Sequence, residues 1–206
     1  MDNVDIKSIH NYWSNICNID GGENSSILYR KSDFRTKLIG GIICNCFPNP
    51  NVKIFELGCN IGRNLNYLYN LGYKKLTGVE INSKAISLMR EYFREMFDNS
   101  NIIISTIEDY IKVFDNNEFD LSFTLAVLEH IHPDSDWIFD DMVRISNNII
   151  IIENETDENE RVFKRKYKDV FEKRGMKEVV GMQLLDKQDR DIFGYFCRVF
   201  TKGQNV

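Results

Sequence analysis

From Val52 onward the apolar and polar positions fall into blocks that alternate between strand and helix periods. Val52 to Leu57 reads as a short strand that stops at a glycine, and residues 63–71 suit a helix. Leu76-Thr77-Gly78-Val79-Glu80 is a second strand. Residues 83–97 then form a helix, with Ser83 at its cap and Ile86, Met89, Phe93 and Phe97 at core spacing. Asn101 to Ser105 is a third strand and Asp120 to Leu125 a fourth, followed by a helix over 135–145. Asn148 to Ile152 is apolar enough for a strand covered on both faces. A charged helix over 159–174 and two strands within 176–184 and 193–201 complete the pattern. Strands alternating with helices predict an α/β fold with a doubly wound, mostly parallel sheet and helices on both faces.

Residues 1–50 read differently. They hold scattered aromatics (Tyr12, Trp13, Tyr29, Phe34) and a Gly21-Gly22 turn. Helical spacing over 34–44 puts Phe34, Leu38 and Ile42 on one face, and Pro48-Asn49-Pro50 then breaks the chain. This predicts an N-terminal helical segment, 1–50, ahead of the main domain, 51–206. Glu153 to Glu160 is a polar stretch between elements.

Composition narrows the functions. The 206 residues carry a net charge of −5, which argues against a long nucleic acid as partner. No apolar run is long enough to span a bilayer, and Met1 to Asp5 lacks the form of a signal peptide. With five cysteines, an odd number, these features point to reduced thiols and a cytoplasmic protein. Cys44-Asn45-Cys46 is too tight and isolated for a zinc site, and no metal is expected.

The chemistry begins at Glu56-Leu57-Gly58-Cys59-Asn60-Ile61-Gly62-Arg63-Asn64, where the first parallel strand gives way to a helix. The chain must turn sharply there and let a ligand approach its backbone. Gly58 and Gly62 permit this, and Asn60 is a residue type that tolerates left-handed φ. Glu80 ends the second strand 22 positions after Gly58, where a doubly wound fold sets a carboxylate against a ribose diol. Ile81 follows it and could lie on an adenine face. A dinucleotide fingerprint needs glycines at 58, 60 and 63; the chain has Gly58, Asn60 and Arg63, which argues against NAD.

These motifs resemble those of class I S-adenosylmethionine-dependent methyltransferases with a Rossmann-like fold. Glu56 to Gly62 resembles their first motif, and Gly78-Val79-Glu80-Ile81-Asn82 their acidic second-strand end. Phe119 to Ile131 is similar to the fourth-strand motif of small-molecule members. The likeness covers roughly 52–153 and departs at Asn60, where glycine is usual. It implies a seven-stranded sheet whose last strand is antiparallel, and S-adenosylmethionine as cofactor. Carried over by motif, Glu56, Gly58, Asn60 and Gly62 form the cofactor loop and Glu80 holds the ribose. Ile81 and Ile107 flank the adenine. Thr106 or Ile107 meets its edge through backbone groups, and Glu108 is a side-chain candidate. Gly58, Leu125 and the adjacent Ala126 meet the methionine part, with Asn64 in reach. The resemblance also implies that the N-terminal segment closes over the cofactor. Tyr29-Arg30 is the candidate there, Arg30 either pairing the methionine carboxylate or staying solvated.

The acceptor is less legible. Glu129-His130-Ile131-His132 follows the fourth strand, so a general base could be His130, His132 or Glu129. His130 could equally only shape the pocket. His-x-His has no evident third metal ligand. No Asn/Asp-Pro-Pro-Tyr follows the fourth strand, which reads Thr124-Leu125-Ala126-Val127. That favours an oxygen or nitrogen of a small molecule. Lys164-Arg165-Lys166 with Lys168 either recognises a phosphate or forms a solvated helix face. A non-catalytic binding subunit and a nucleotide-cofactor oxidoreductase are the competing readings. No membrane partner is expected, and the chain is expected to be a monomer or homodimer.

Overall fold

A computed structural model describes residues 4–16, 34–185 and 192–203. Its seven strands form one sheet in the order β3-β2-β1-β4-β5-β7-β6. The chain divides into two compact units, one made of residues 10–107 and the other of 1–9 with 108–206. A helix, α1 (Ile6–Asn15), opens the described chain.

In the 10–107 unit, β1 (Lys53–Leu57) pairs in parallel with β2 (Lys75–Glu80), and β2 with β3 (Asn101–Ile104). Between them run α3 (Arg63–Asn70), α4 (Ser83–Tyr92) and α5 (Arg94–Asp98). The register sets Leu57 opposite Val79 and Glu80 opposite Ile104. The glycine loop and the carboxylate strand end therefore emerge at the same edge of the sheet.

Three sequence expectations are corrected in this unit. The predicted helix over 83–97 breaks at Phe93 (φ −129°, ψ 43°) into α4 and α5. The break turns Met96 inward, while Phe93 and Phe97 stay half-buried. Its cap is Asn82 rather than Ser83, because the Asn82 side chain accepts from the amides of Lys84 and Ala85. On α2 (Phe34–Cys46) the buried face is Thr36, Ile39, Gly40 and Ile43, not Phe34, Leu38 and Ile42. Close packing on α3 selects the narrower side: Thr36 hydrogen-bonds Asn64, and Gly40 lies against the ring of Tyr67. Hydropathy alone does not see either contact.

In the other unit, β4 (Phe119–Leu125) pairs in parallel with β5 (Ser146–Glu153). The strand β7 (Phe196–Lys202) runs antiparallel between β5 and β6 (Met176–Gln183), as the resemblance implied. Ile149 to Ile152 are fully buried, each removing about 1.5–3 kcal/mol worth of apolar surface from water. A short α6 (Ile107–Tyr110) leads into this unit. Further on, α7 (Ile138–Ile145) and α8 (Tyr167–Glu172) pack through Phe139, Tyr167 and Phe171. Phe171 in turn meets Phe200 of β7 with ring centroids 4.8 Å apart.

The helix expected over 159–174 is only α8. Residues Asn159 and Val162 instead form a tight bridge, and Arg165 turns inward. The Arg165 guanidinium donates to the carbonyls of Leu128 and Ile131 and to Asp136. A regular helix would leave these contacts unmade. Within the polar stretch Glu153 to Glu160, the residues Glu153, Asn154 and Glu155 are buried.

A Cβ on Gly40 would lie 2.5 Å from Tyr67 Cε1, whereas one on Gly41 meets nothing. Gly40→Ala should destabilise the protein by about 1–3 kcal/mol through overpacking. Gly41→Ala should stabilise it by up to ~1 kcal/mol through helix propensity. Equal effects in chemical denaturation would contradict the close α2–α3 packing.

Candidate functional site

The loop between β1 and α3 runs through left-handed backbone. Gly58, Asn60 and Gly62 have φ of 68°, 47° and 73°. Gly62 caps α3, and a Cβ there would strike Met89 at 2.8 Å. These dihedrals explain the residue types, because only glycine and asparagine visit this region at low cost.

The loop is fastened by Glu80. Its Oε2 accepts from the Asn60 amide at 2.8 Å and its Oε1 from the Asn82 amide at 2.9 Å. One carboxylate thus ties the turn of the first strand to the end of the second. Each oxygen retains capacity for a further donor. Burial raises the Glu80 pKa, and the amides of Asn82, Asn60 and Ile81 oppose the rise.

Glu56 lies beneath the loop and is 2% exposed. Its Oε1 accepts from Asn64 Nδ2 at 2.7 Å, and Asn64 Oδ1 accepts from Thr36 Oγ1 at 2.9 Å. The Asn64 side chain therefore orients Glu56. Glu56 Oε2 and Asn60 Oδ1 are buried without a hydrogen-bond partner. A buried acceptor without a donor is costly, so both atoms mark places for an outside donor. Burial pushes the Glu56 pKa up to about 8, with Asn64 and Arg63 pulling the other way. Ile81 and Thr106 are half-buried and Ile107 is buried. The Trp13 carbonyl accepts from Asn82 Nδ2 at 3.1 Å, which attaches the end of α1 beside the Glu80 strand end.

In the 108–206 unit, Glu108, Leu125 and Ala126 are half-buried, and Ala126 has φ of 55°. Two buried glutamates hold the turn after β4. Glu153 accepts from Thr124 Oγ1 and from the amides of Val127 and Glu129. Glu129 Oε2 in turn accepts from the Asn154 amide at 2.7 Å, so each carboxylate secures the other's strand end. Burial, then the charge of Glu129, raises the Glu153 pKa. His130 Nδ1 lies 2.7 Å from the Arg161 carbonyl. His132 Nδ1 accepts from the Asp134 amide at 3.1 Å, which makes that ring a cap for the next turn.

Two of the four basic residues at 164–168 are paired within the chain, while Lys164 and Lys166 are exposed. Arg165 binds Asp136 and backbone carbonyls, and Lys168 pairs with Glu178. Among the described residues no group of three or more His, Cys, Asp or Glu could hold a metal ion. Tyr29 and Arg30 lie outside the described residues. The sequence reading missed Thr36, Glu153 and Tyr195. Thr36 looks like a polar interruption of a helix, Glu153 like the start of a loop, and Tyr195 reaches Glu129 across 66 positions.

A carboxyl whose pKa is raised in the folded state binds its proton more tightly folded than unfolded. Its contribution to stability is complete below the unfolded value, near 4.5, and is lost as pH rises through about 8. Glu56→Gln should therefore flatten the fall in melting temperature between about pH 5 and 8. Each kcal/mol removed corresponds to roughly 2–4 °C in a chain of this size. A variant curve parallel to the wild-type curve would mean that Glu56 is not held in a dry site.

A family profile described as a methyltransferase domain matches residues 55–148. No protein of curated function matches the sequence. Similar solved structures include magnesium protoporphyrin IX methyltransferase (ChlM) from Synechocystis PCC 6803 with bound SAH. It is 10% identical, with TM-score 0.73 over 96% of this chain and 100% of that one. The PH0226 protein from Pyrococcus horikoshii OT3 is 14% identical, with TM-score 0.66 over 84% and 93%. The 4+2 cyclase SpnF is 10% identical, with TM-score 0.67 over 93% and 94%. At such identities the structures speak for the fold, and the profile speaks for the domain. Taken together they agree with the motifs at Gly58, Glu80 and Leu125: the chain carries a methyltransferase domain over 55–148, on the Rossmann-like fold of the similar structures.

Proposed function

We propose that this enzyme transfers a methyl group from S-adenosylmethionine to an oxygen or nitrogen of a small molecule. The observation that carries the reading is the pair of carboxylates around the left-handed loop: Glu80 with capacity left on both oxygens, and Glu56 with Oε2 buried and unmatched. The cofactor's donors suit them. Glu80 would take the ribose hydroxyls, and Glu56 with Asn60 the ammonium end. Gly58, Leu125 and Ala126 would contribute backbone contacts, and Gly62 the turn. Asn64 acts through Glu56. Ile81 and Ile107 would sandwich the adenine, with Thr106 and Glu108 at its edge. The cofactor supplies an electrophilic methyl on a sulfonium.

The N-terminal segment, 1–50, serves as a cap ahead of the main domain. The Trp13–Asn82 and Thr36–Asn64 hydrogen bonds support this, since each ends on a residue adjoining the loop or Glu80. Tyr29 and Arg30 would belong to that cap.

A small acceptor is favoured by the net charge of −5 and by the internal pairing of Arg165, Arg174 and Arg198. Phosphate backbones need free cations. The structurally similar ChlM, a magnesium protoporphyrin IX methyltransferase, points the same way. His130 is the proton acceptor of the reaction, and His132 supports the turn behind it. Among the described residues no helix is long and apolar enough to cross a membrane; a cytoplasmic monomer or homodimer is part of the same proposal.

Glu80→Ala should weaken S-adenosylhomocysteine binding by about 1–3 kcal/mol, roughly 5- to 150-fold in Kd. Unchanged affinity by calorimetry would move the ribose elsewhere. His130→Ala should cut formation of S-adenosylhomocysteine with a working acceptor by roughly 100-fold or more while leaving cofactor affinity intact. Full turnover in that variant would remove His130 from the chemistry.

A further inference from the structure

The neighbouring Glu129, the distant Tyr195 and the backbone carbonyl of Arg161 converge beside His130. Its Nδ1 faces the Arg161 carbonyl at 2.7 Å. A carbonyl only accepts, so Nδ1 carries the hydrogen, and proton uptake falls to Nε2. Nε2 lies 3.6 Å from Glu129 Oε1. That same oxygen accepts from the Tyr195 hydroxyl at 2.9 Å. The other Glu129 oxygen is held by the Asn154 amide. The carboxylate cannot rotate without breaking one of these bonds. Glu129 is 3% exposed, so its influence on the ring is poorly screened by water.

We propose that Glu129 and Tyr195 are positioning residues for methyl transfer: Tyr195 fixes the Glu129 carboxylate, and Glu129 governs proton uptake at His130 Nε2. The inference rests on the reading of His130 as proton acceptor. In the reaction the acceptor atom bonds to the methyl carbon. The carbon–sulfur bond breaks, with its electron pair left on sulfur. The acceptor's proton passes to Nε2, giving an imidazolium that the Glu129 carboxylate stabilises. Tyr195 keeps its proton throughout, because burial and the Glu129 charge both raise its pKa.

Other groups act on the same set. Burial lowers the His130 pKa; Glu129 and the Arg161 carbonyl raise it; the Arg161 charge lowers it. Glu153 and Asp157 act on Tyr195. Glu153 also receives the Glu129 amide. Arg165 acts on Tyr167, which faces both glutamates. The net effect leaves His130 below the ordinary histidine value, neutral and ready to accept at physiological pH.

Nitrogen-15 NMR of histidine side chains tests this on the full chain without an acceptor, with His10 and His132 as internal references. The His130 ring should be the Nδ1–H tautomer. Glu129→Gln should lower its titration midpoint by about 1 pH unit, the scale expected for losing a nearby opposite charge. Tyr195→Phe should raise it, because Glu129 Oε1 loses its competing donor and binds the imidazolium more strongly. Opposite shifts are not the signature of a merely structural role. If Glu129→Gln fails to fold, the Tyr195→Phe shift and the wild-type tautomer still decide. Unmoved midpoints, shifts of the same sign, or an Nε2–H tautomer would overturn the proposal. Turnover of His130→Ala separately decides whether His130 is the base at all.

Discussion

The grip of the Glu80 carboxylate on two backbone amides is the constraint on which the glycine loop of this protein depends. Asn60 and Asn82 sit in different turns, and each needs a partner for an amide that no strand or helix satisfies. One carboxylate meets both and thereby fixes the spacing between the glycine loop and the end of β2. The parallel register of β1 and β2 brings Leu57 and Val79 level, so the two turns leave the sheet together. Left-handed dihedrals at Gly58, Asn60 and Gly62 then follow as the way to complete so short a turn. Glu80 thus organises the loop and still offers lone pairs to a diol.

The second unit solves a similar problem with two carboxylates. Glu153 and Glu129 each accept an amide from the other's segment, and the arrangement tolerates a positive φ at Ala126. Buried acids are expensive unless their oxygens are matched, and here the matching donors are backbone amides of the turn that carries His130. Arg165 reinforces that turn from outside by donating to the carbonyls of Leu128 and Ile131. These bonds together hold the turn that carries His130 in one conformation.

Much of this was legible in the sequence, for identifiable reasons. The strands were readable because β5 holds four isoleucines in a row and β4 sets Phe119, Leu121, Phe123 and Leu125 at alternate positions, and the loop because its residue types meet a backbone demand. The antiparallel β7 came only through the resemblance, since no local pattern states strand direction. What the sequence concealed was long-range. Nothing near Glu153 says that its oxygens serve Val127 and Glu129, or that Tyr195 reaches Glu129. The helix expected over 159–166 failed because Arg165 prefers buried carbonyls to solvent. The α2 face was misread because Thr36 and Gly40, poor hydropathy signals, are the residues that fit against α3.

The central claim is that the loop closed by Glu80 recognises an S-adenosyl amino acid rather than a dinucleotide. Calorimetric titration of the wild-type protein with S-adenosylhomocysteine, and in parallel with NAD, tests it most directly. The account requires saturable one-site binding of S-adenosylhomocysteine and none of NAD. Binding of NAD with no response to S-adenosylhomocysteine would contradict it.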